Sequence, residues 1–175
     1  CFQNGLCEER IAAVAGHQRV IGAIVSWGAS VGEPGEFIQT SAGGFAIGCL
    51  NPEHRPALDE LEGLLQIVGP VVLTENLKGS RWSKLAISCA ISTLGTLGGD
   101  RLGALLRYRI VRRLGLEMMT ELVQVAQAEQ IMLKPLAGTF DLEWLALTEE
   151  ERRASFSPSL LAKHGVLIAV GTRHR

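Results

Sequence analysis

The sequence is short of several things, and each shortage excludes something. No apolar run approaches the roughly 18 residues of a membrane-spanning helix, so no membrane partner is expected. Lys and Arg (17) nearly balance Asp and Glu (18), leaving a formal charge of −1. That balance argues against nucleic acid and against an anionic membrane surface. The four cysteines, Cys1, Cys7, Cys49 and Cys89, form no Cys-x-x-Cys pair and no Cys/His ligand spacing. They read as small, buried apolar residues in a reducing compartment. His17, His54, His164 and His174 share no ligand spacing, and no metal is expected. The start, Cys1-Phe2-Gln3-Asn4-Gly5, is neither basic nor followed by a long apolar stretch, so it is not a signal peptide and a cytoplasmic location is expected. It also lacks an initiator Met, which suggests an excised fragment or a partial chain.

What is present is apolar. Hydrophobic residues make up 47% of the chain and charged residues only 20%, with a mean hydropathy of +0.21. A sizeable core can form, and some apolar surface is expected to pack against a missing domain or a second copy. The length of 175 residues suits one domain, or one domain plus part of another.

Residues 1–76 read as mixed α/β. A short helical pattern with Leu6, Ile11, Ala12 and Val14 is closed by Gly16. The run from Arg19 to Trp27 is β-rich, and Gly32-Glu33-Pro34-Gly35 is a turn signal. Phe37–Thr40 and Phe45–Gly48 are short strand candidates flanking Gly43-Gly44, which suggests a hairpin. A helix is expected from about Pro56 to Val68, with Leu58, Leu61, Leu64, Leu65 and Val68 on one face. Gly69-Pro70 ends it, and a strand follows at 71–74. From about Leu77 the period becomes helical throughout. Trp82, Leu85, Ala86, Cys89 and Ala90 mark one helix, Leu102 to Ile110 a second, and Leu116, Met119, Leu122, Val123 and Ala126 a third. Asp141 begins a short helix, Thr148-Glu149-Glu150-Glu151 has the form of a capping box, and Ser157-Pro158 opens the last helix. The expected fold class is therefore α+β, with an α/β part at 1–76 and an all-α part at 77–175.

Three stretches then acquire meaning together: Gln3-Asn4-Gly5-Leu6; Trp82-Ser83-Lys84-Leu85 with Ser88 and Ser92; and Glu121 to Ala128. In this order and spacing they resemble the ketopantoate reductases (2-dehydropantoate 2-reductases). The resemblance implies the C-terminal portion of a Rossmann-like domain, followed by a helical domain like the C-terminal domain of 6-phosphogluconate dehydrogenase. It implies NADPH-dependent reduction of a 2-oxo acid, 2-dehydropantoate, to the 2-hydroxy acid pantoate, on the way to pantothenate and coenzyme A. It also implies a homodimer formed through the helical domain. The family opens with a Gly-x-Gly-x-x-Gly unit that holds the pyrophosphate, and no such sequence occurs here. The family's late Ser and Glu also lie, on this reading, just beyond Arg175. An alternative is that the chain is a non-catalytic assembly fragment.

Each candidate residue has a plain reading beside the one the resemblance implies. Lys84 by itself is a solvated helix lysine; the resemblance makes it the proton donor and oxyanion stabiliser. Ser88 and Ser92 follow it at intervals of four, so the three share a face. The resemblance places substrate-binding asparagines at both serine positions. Serine is shorter and presents no amide, so a different 2-oxo acid stays open. Asn4 reads as a turn residue or helix N-cap, and the resemblance makes it a contact to both substrate and cofactor. Ala29 falls where the family's backbone approaches the nicotinamide. Arg101, Arg107, Arg109, Arg112 and Arg113 form a basic cluster that could bind phosphate, or be a solvated face pairing with Glu117 and Glu121. Asp141, Glu143 and Glu149–Glu151 read as helix N-terminal charges.

Overall fold

In the computed structural model of the protein, the β-rich run narrows to one strand, β1 (Ile21–Val25). Residues 1–51, 55–135 and 140–173 are described. Before β1, α1 (Glu8–Ala15) begins with two glutamates, which suit a helix N-terminus. It ends at Gly16, whose φ of 92° favours glycine. Of the patterned residues Leu6, Ile11, Ala12 and Val14, Ala12 is buried and the other three are exposed, while Glu8 points inward beside Ala12. The reason is an ion pair. Glu8 meets Arg81, both buried, and Arg81 also donates to the carbonyls of Gln3 and Cys1, each at 2.9 Å. That polar anchor fixes which side of α1 faces in.

The strands sort into two sheets. β2 (Gly28–Val31) and β3 (Phe37–Ser41) form an antiparallel hairpin across the expected turn, where Gly32 N donates to Glu36 O at 3.1 Å. β4 (Phe45–Cys49) pairs antiparallel with β1 and parallel with β5 (Val71–Leu73), giving the order β1-β4-β5. The hairpin expected across Gly43-Gly44 is thus not formed, although both of its strands exist. A Cβ on Gly43 would overlap the backbone of Ser26, and one on Gly44 would overlap the carbonyl oxygen of Pro70. The two glycines let the chain thread a tight crossing from one sheet to the other. Ser26 Oγ clamps that crossing, donating to Gly44 O at 3.1 Å and accepting from Gly44 N at 2.9 Å. On the outer side of β1, the Cys1 amine donates to Ile21 O at 2.7 Å and Ala23 N donates to Cys1 O at 2.8 Å, the pattern of a parallel bridge. β5 is the opposite edge. α2 (Arg55–Leu65) covers the sheet with Leu58 against Ala23, Phe45 and Ile47.

The chain divides into two compact units, Cys1–Arg81 and Trp82–Arg175. α3 (Leu77–Gly98) starts in the first and continues in the second. The second unit adds α4 (Leu102–Leu105), α5 (Arg109–Ala128), α6 (Leu142–Leu145), α7 (Glu149–Arg153) and α8 (Pro158–Arg173), with no strand among its described residues. The single helix expected over Leu102–Ile110 is interrupted. Tyr108 is extended (φ −81°, ψ 126°), and Arg112 Nη1 takes the carbonyls of Leu106 and Arg107 at 2.6 and 2.7 Å. Those carbonyls end α4 instead of continuing it. Ala86 and Ala90 of α3 share one core with Leu116, Met119 and Val123 of α5 and Leu160 and Leu167 of α8. Thr120 is buried there; its Oγ1 donates to Leu116 O and accepts from Leu147 N at 2.8 Å, holding the start of the 147–151 segment. All four cysteines are half-buried, not fully buried as expected.

Candidate functional site

α3 carries three of the five candidate site residues, and their intervals of four put Lys84, Ser88 and Ser92 on one side of it. Lys84 is half-buried between Ser83, which is fully buried, and the half-buried Leu85. No carboxylate pairs with Lys84 among the described residues. Burial with no compensating anion pushes its ammonium pKa down from the ordinary 10.5. Ser88 is half-buried and Ser92 exposed. The face therefore runs from a wet end at Ser92 to a drier end at Lys84. Ser83 Oγ, beside the lysine, is buried with no hydrogen-bond partner. Sequence reasoning missed it because a serine in a helix interior carries no signal of its own.

Asn4 and Ala29 lie on separate elements of the first unit. Asn4 is exposed in a bend ahead of α1. It is not the helix cap: Cys7 holds that position, and no side chain caps α1. Cys7 Sγ donates to the Asn4 backbone carbonyl at 3.6 Å, and the exposed Asn4 side chain makes no hydrogen bond among the described residues. Ala29 is exposed in β2 opposite Gln39, at a register shift between Gly28 and Ala29. Such bulges re-aim the chain and are common beside sites. Next to it, Trp27 packs edge-on against Phe45 (5.9 Å) and Phe45 against Phe2 (6.1 Å). Trp27 Nε1 is buried without a partner.

The remaining charged residues largely hold the fold. Arg113 pairs with Glu117 at 3.0 Å, as the sequence suggested, and Glu117 also takes Arg152 at 2.9 Å. Glu121 is exposed. Asp141 caps α6, accepting from Glu143 N and Trp144 N at 3.0 and 3.1 Å. Thr148 and Glu151 form the expected capping box on α7. Glu151 does more than the sequence showed: its carboxylate meets Lys163 Nζ at 2.5 Å, both buried. Burial alone would raise its pKa, but hydrogen bonds from Lys163, Ser159 and the Thr148 backbone hold it down to about 2.

Among the described residues no three His, Cys, Asp or Glu gather as a metal cluster, and no helix is long and apolar enough to cross a membrane. His54 and His174 lie outside the described residues. An open cleft of about 390 Å³, lined by residues 39–43 and 68–70, includes none of the five candidate residues.

Two family models match the chain: "Ketopantoate reductase PanE/ApbA" over residues 1–52 and "Ketopantoate reductase PanE/ApbA C terminal" over residues 76–163. A comparison with curated proteins gave no match. Among solved structures, 2-dehydropantoate 2-reductase from Geobacter metallireducens GS-15 is similar, with 25% identity and a TM-score of 0.70, covering 98% of this chain and 61% of that one. D-mandelate dehydrogenase in a ternary structure with NADH and anilino(oxo)acetate is similar in fold (18% identity, TM-score 0.72, 83% and 45% covered). So is a dimeric ketopantoate reductase from Staphylococcus aureus (17%, TM-score 0.63, 100% and 49%). The chain thus spans between about half and three-fifths of the length of these relatives. Like them, it has a strand-rich N-terminal part followed by a long helical region.

Proposed function

Because this chain belongs to the ketopantoate reductase PanE/ApbA family, we propose that it forms the substrate-side part of a nicotinamide-dependent reductase that converts a 2-oxo acid to a 2-hydroxy acid. The observation that carries this reading is Lys84, half-buried, unpaired and with its pKa lowered by burial. Reduction of a ketone adds a hydride to the carbonyl carbon and a proton to the oxygen. A bound NADPH would supply the hydride. The chain's own residues must hold the substrate and deliver the proton. An ammonium made more acidic by burial gives up its proton more readily, and its charge stabilises the alkoxide as it forms.

Two exposed residues support a place for the nicotinamide end of the cofactor. Asn4 is exposed with its side-chain amide uncommitted, and Ala29 presents one methyl group at an exposed bulge. With no Gly-x-Gly-x-x-Gly sequence in the chain, the pyrophosphate would have to be held by residues outside it. NADPH over NADH is part of the proposal, supported by the family; the mandelate relative is described with NADH. Ser88 and Ser92 would contact the substrate. The family favours 2-dehydropantoate. The short serines, one of them exposed, favour as second reading a different 2-oxo acid, in keeping with the oxo-acid ligand of the mandelate relative.

A homodimer through the helical unit is also proposed. It is supported by Leu97, Ile110 and Leu114 exposed there and by the dimeric S. aureus relative. A cytoplasmic location is proposed as well; the free thiols of Cys1, Cys7 and Cys89 accord with a reducing compartment.

The test is NADPH oxidation with 2-dehydropantoate and with phenylglyoxylate. It is run on the 175-residue chain alone and on the chain preceded by a strand–Gly-x-Gly-x-x-Gly–helix unit. The expected result is no turnover by the chain alone and turnover by the extended protein that falls about 10²–10⁴-fold in Lys84→Ala. A rate that survives Lys84→Ala refutes the proposal.

A further inference from the structure

Two lysines of the helical unit are partly or wholly withdrawn from solvent, and the fold treats them in opposite ways. Lys163 is only 3% exposed. Its ammonium meets the Glu151 carboxylate at 2.5 Å and donates to the Ala146 carbonyl at 2.7 Å, so its charge is compensated. Lys84 on α3 is half-buried, and among the described residues no carboxylate or carbonyl holds it. Burial weakens its grip on the proton, with no anion to restore it.

The position of Lys84 on α3 also leaves it within reach of a small acid. Ser83, Ala86, Ala90 and Leu94 are buried and give the core side of the helix. Lys84, Ser88 and Ser92 lie on another side, which is half-buried at Lys84 and Ser88 and exposed at Ser92. A fully buried amine would be inaccessible, and a fully exposed one would stay a hydrated ammonium. Lys84 stands between these limits. An unprotonated lysine amine is a nucleophile towards ketones, and C2 of a 2-oxo acid is made electron-poor by the neighbouring carboxylate.

We propose that Lys84 forms an imine with C2 of a 2-oxo acid when the acid occupies this face without a hydride donor, a dead-end state in which the substrate blocks its own proton donor. The step balances. The amine lone pair forms the C–N bond while the carbonyl π electrons go to oxygen, giving a carbinolamine. Both amine protons then leave with that oxygen as water, and the C=N bond remains. Nothing is oxidised or reduced. This inference rests on the same reading of the Lys84 face as the reductase proposal, but the two fail separately.

The experiment incubates the 175-residue protein at pH 8 with pyruvate or phenylglyoxylate and sodium cyanoborohydride, which reduces an imine to a stable secondary amine. Peptide mass mapping follows. A gain equal to the mass of the acid less one oxygen atom is expected on Lys84. It should be lost in Lys84→Arg and absent with lactate, which has the carboxylate but no ketone. Mapping of the unaltered protein decides the matter should Lys84→Arg fail to fold. No adduct on Lys84 from either oxo acid overturns the inference. So does an adduct spread equally over Lys84 and the exposed Lys78 and Lys134. Neither result touches the reductase proposal, which falls when turnover survives Lys84→Ala.

Discussion

Glu151 offers a measurement in which the magnitude can be worked from the structure. It caps α7 through its own capping box and, from the same carboxylate, meets Lys163 at 2.5 Å with both side chains buried. Lys163 also donates to the Ala146 carbonyl at 2.7 Å and stands 5.9 Å from the centroid of the Trp144 ring. One carboxylate therefore ties α6, α7 and α8 together. Its pKa falls from the ordinary 4.5 to about 2, and at about 1.4 kcal/mol per pH unit that difference corresponds to about 3 kcal/mol. Because the folded value is the lower one, the contribution is fully present above about pH 4.5 and is lost as pH falls from there through about 2. Urea denaturation of the wild type and of Glu151→Gln, from pH 7 to pH 2, reads this directly. The variant should be less stable by about 3 kcal/mol at pH 7, since Lys163 is left buried without its counter-charge. The gap should close towards pH 2, as the wild-type carboxyl takes up a proton; acid effects elsewhere in the chain cancel in the difference. A gap that stays constant across this range would refute the electrostatic account and leave only packing. Lys163→Met combined with Glu151→Gln should recover much of the loss, because the unpaired charge is then gone.

Other outcomes follow from the same reasoning. Thr120→Val removes the acceptor for Leu147 N in a buried site, and thermal unfolding should show a loss of about 1–3 kcal/mol. Gly44→Ala drives a methyl group into the Pro70 carbonyl where the chain crosses between sheets, so it should destabilise the first unit markedly, while Gly63→Ala, with open space around it, should not; circular dichroism melts compare the two. In a chloride buffer the His164 pKa is lowered by burial first and by the three arginines next, so stability should decline as pH falls below the ordinary value of about 6.5, and His164→Leu should flatten that decline. Amine labelling against pH should find Lys84 reactive below the ordinary lysine value of 10.5; reactivity only at that value would remove the support for its role as an acid.

What the sequence determined by itself was whatever depends on neighbours in the chain. The Thr148–Glu151 capping box, the Asp141 cap, the Gly32–Gly35 turn and the long helices α3 and α5 were legible because their causes lie within a few residues of one another. The face shared by Lys84, Ser88 and Ser92 was legible for the same reason: helical spacing alone puts residues four apart on one side. The tertiary structure decided what depends on partners far along the chain. Gly43-Gly44 looks like a turn locally, and only the approach of Ser26 and Pro70 makes it a crossing between sheets. The buried face of α1 is set by Arg81, over seventy residues away, and not by the apolar residues of the helix. Tyr108 breaks a helical pattern because Arg112 claims the carbonyls before it. Lys84 and His164 look like ordinary surface residues in the sequence. Their chemistry comes from desolvation, which exists only once other helices have closed around them.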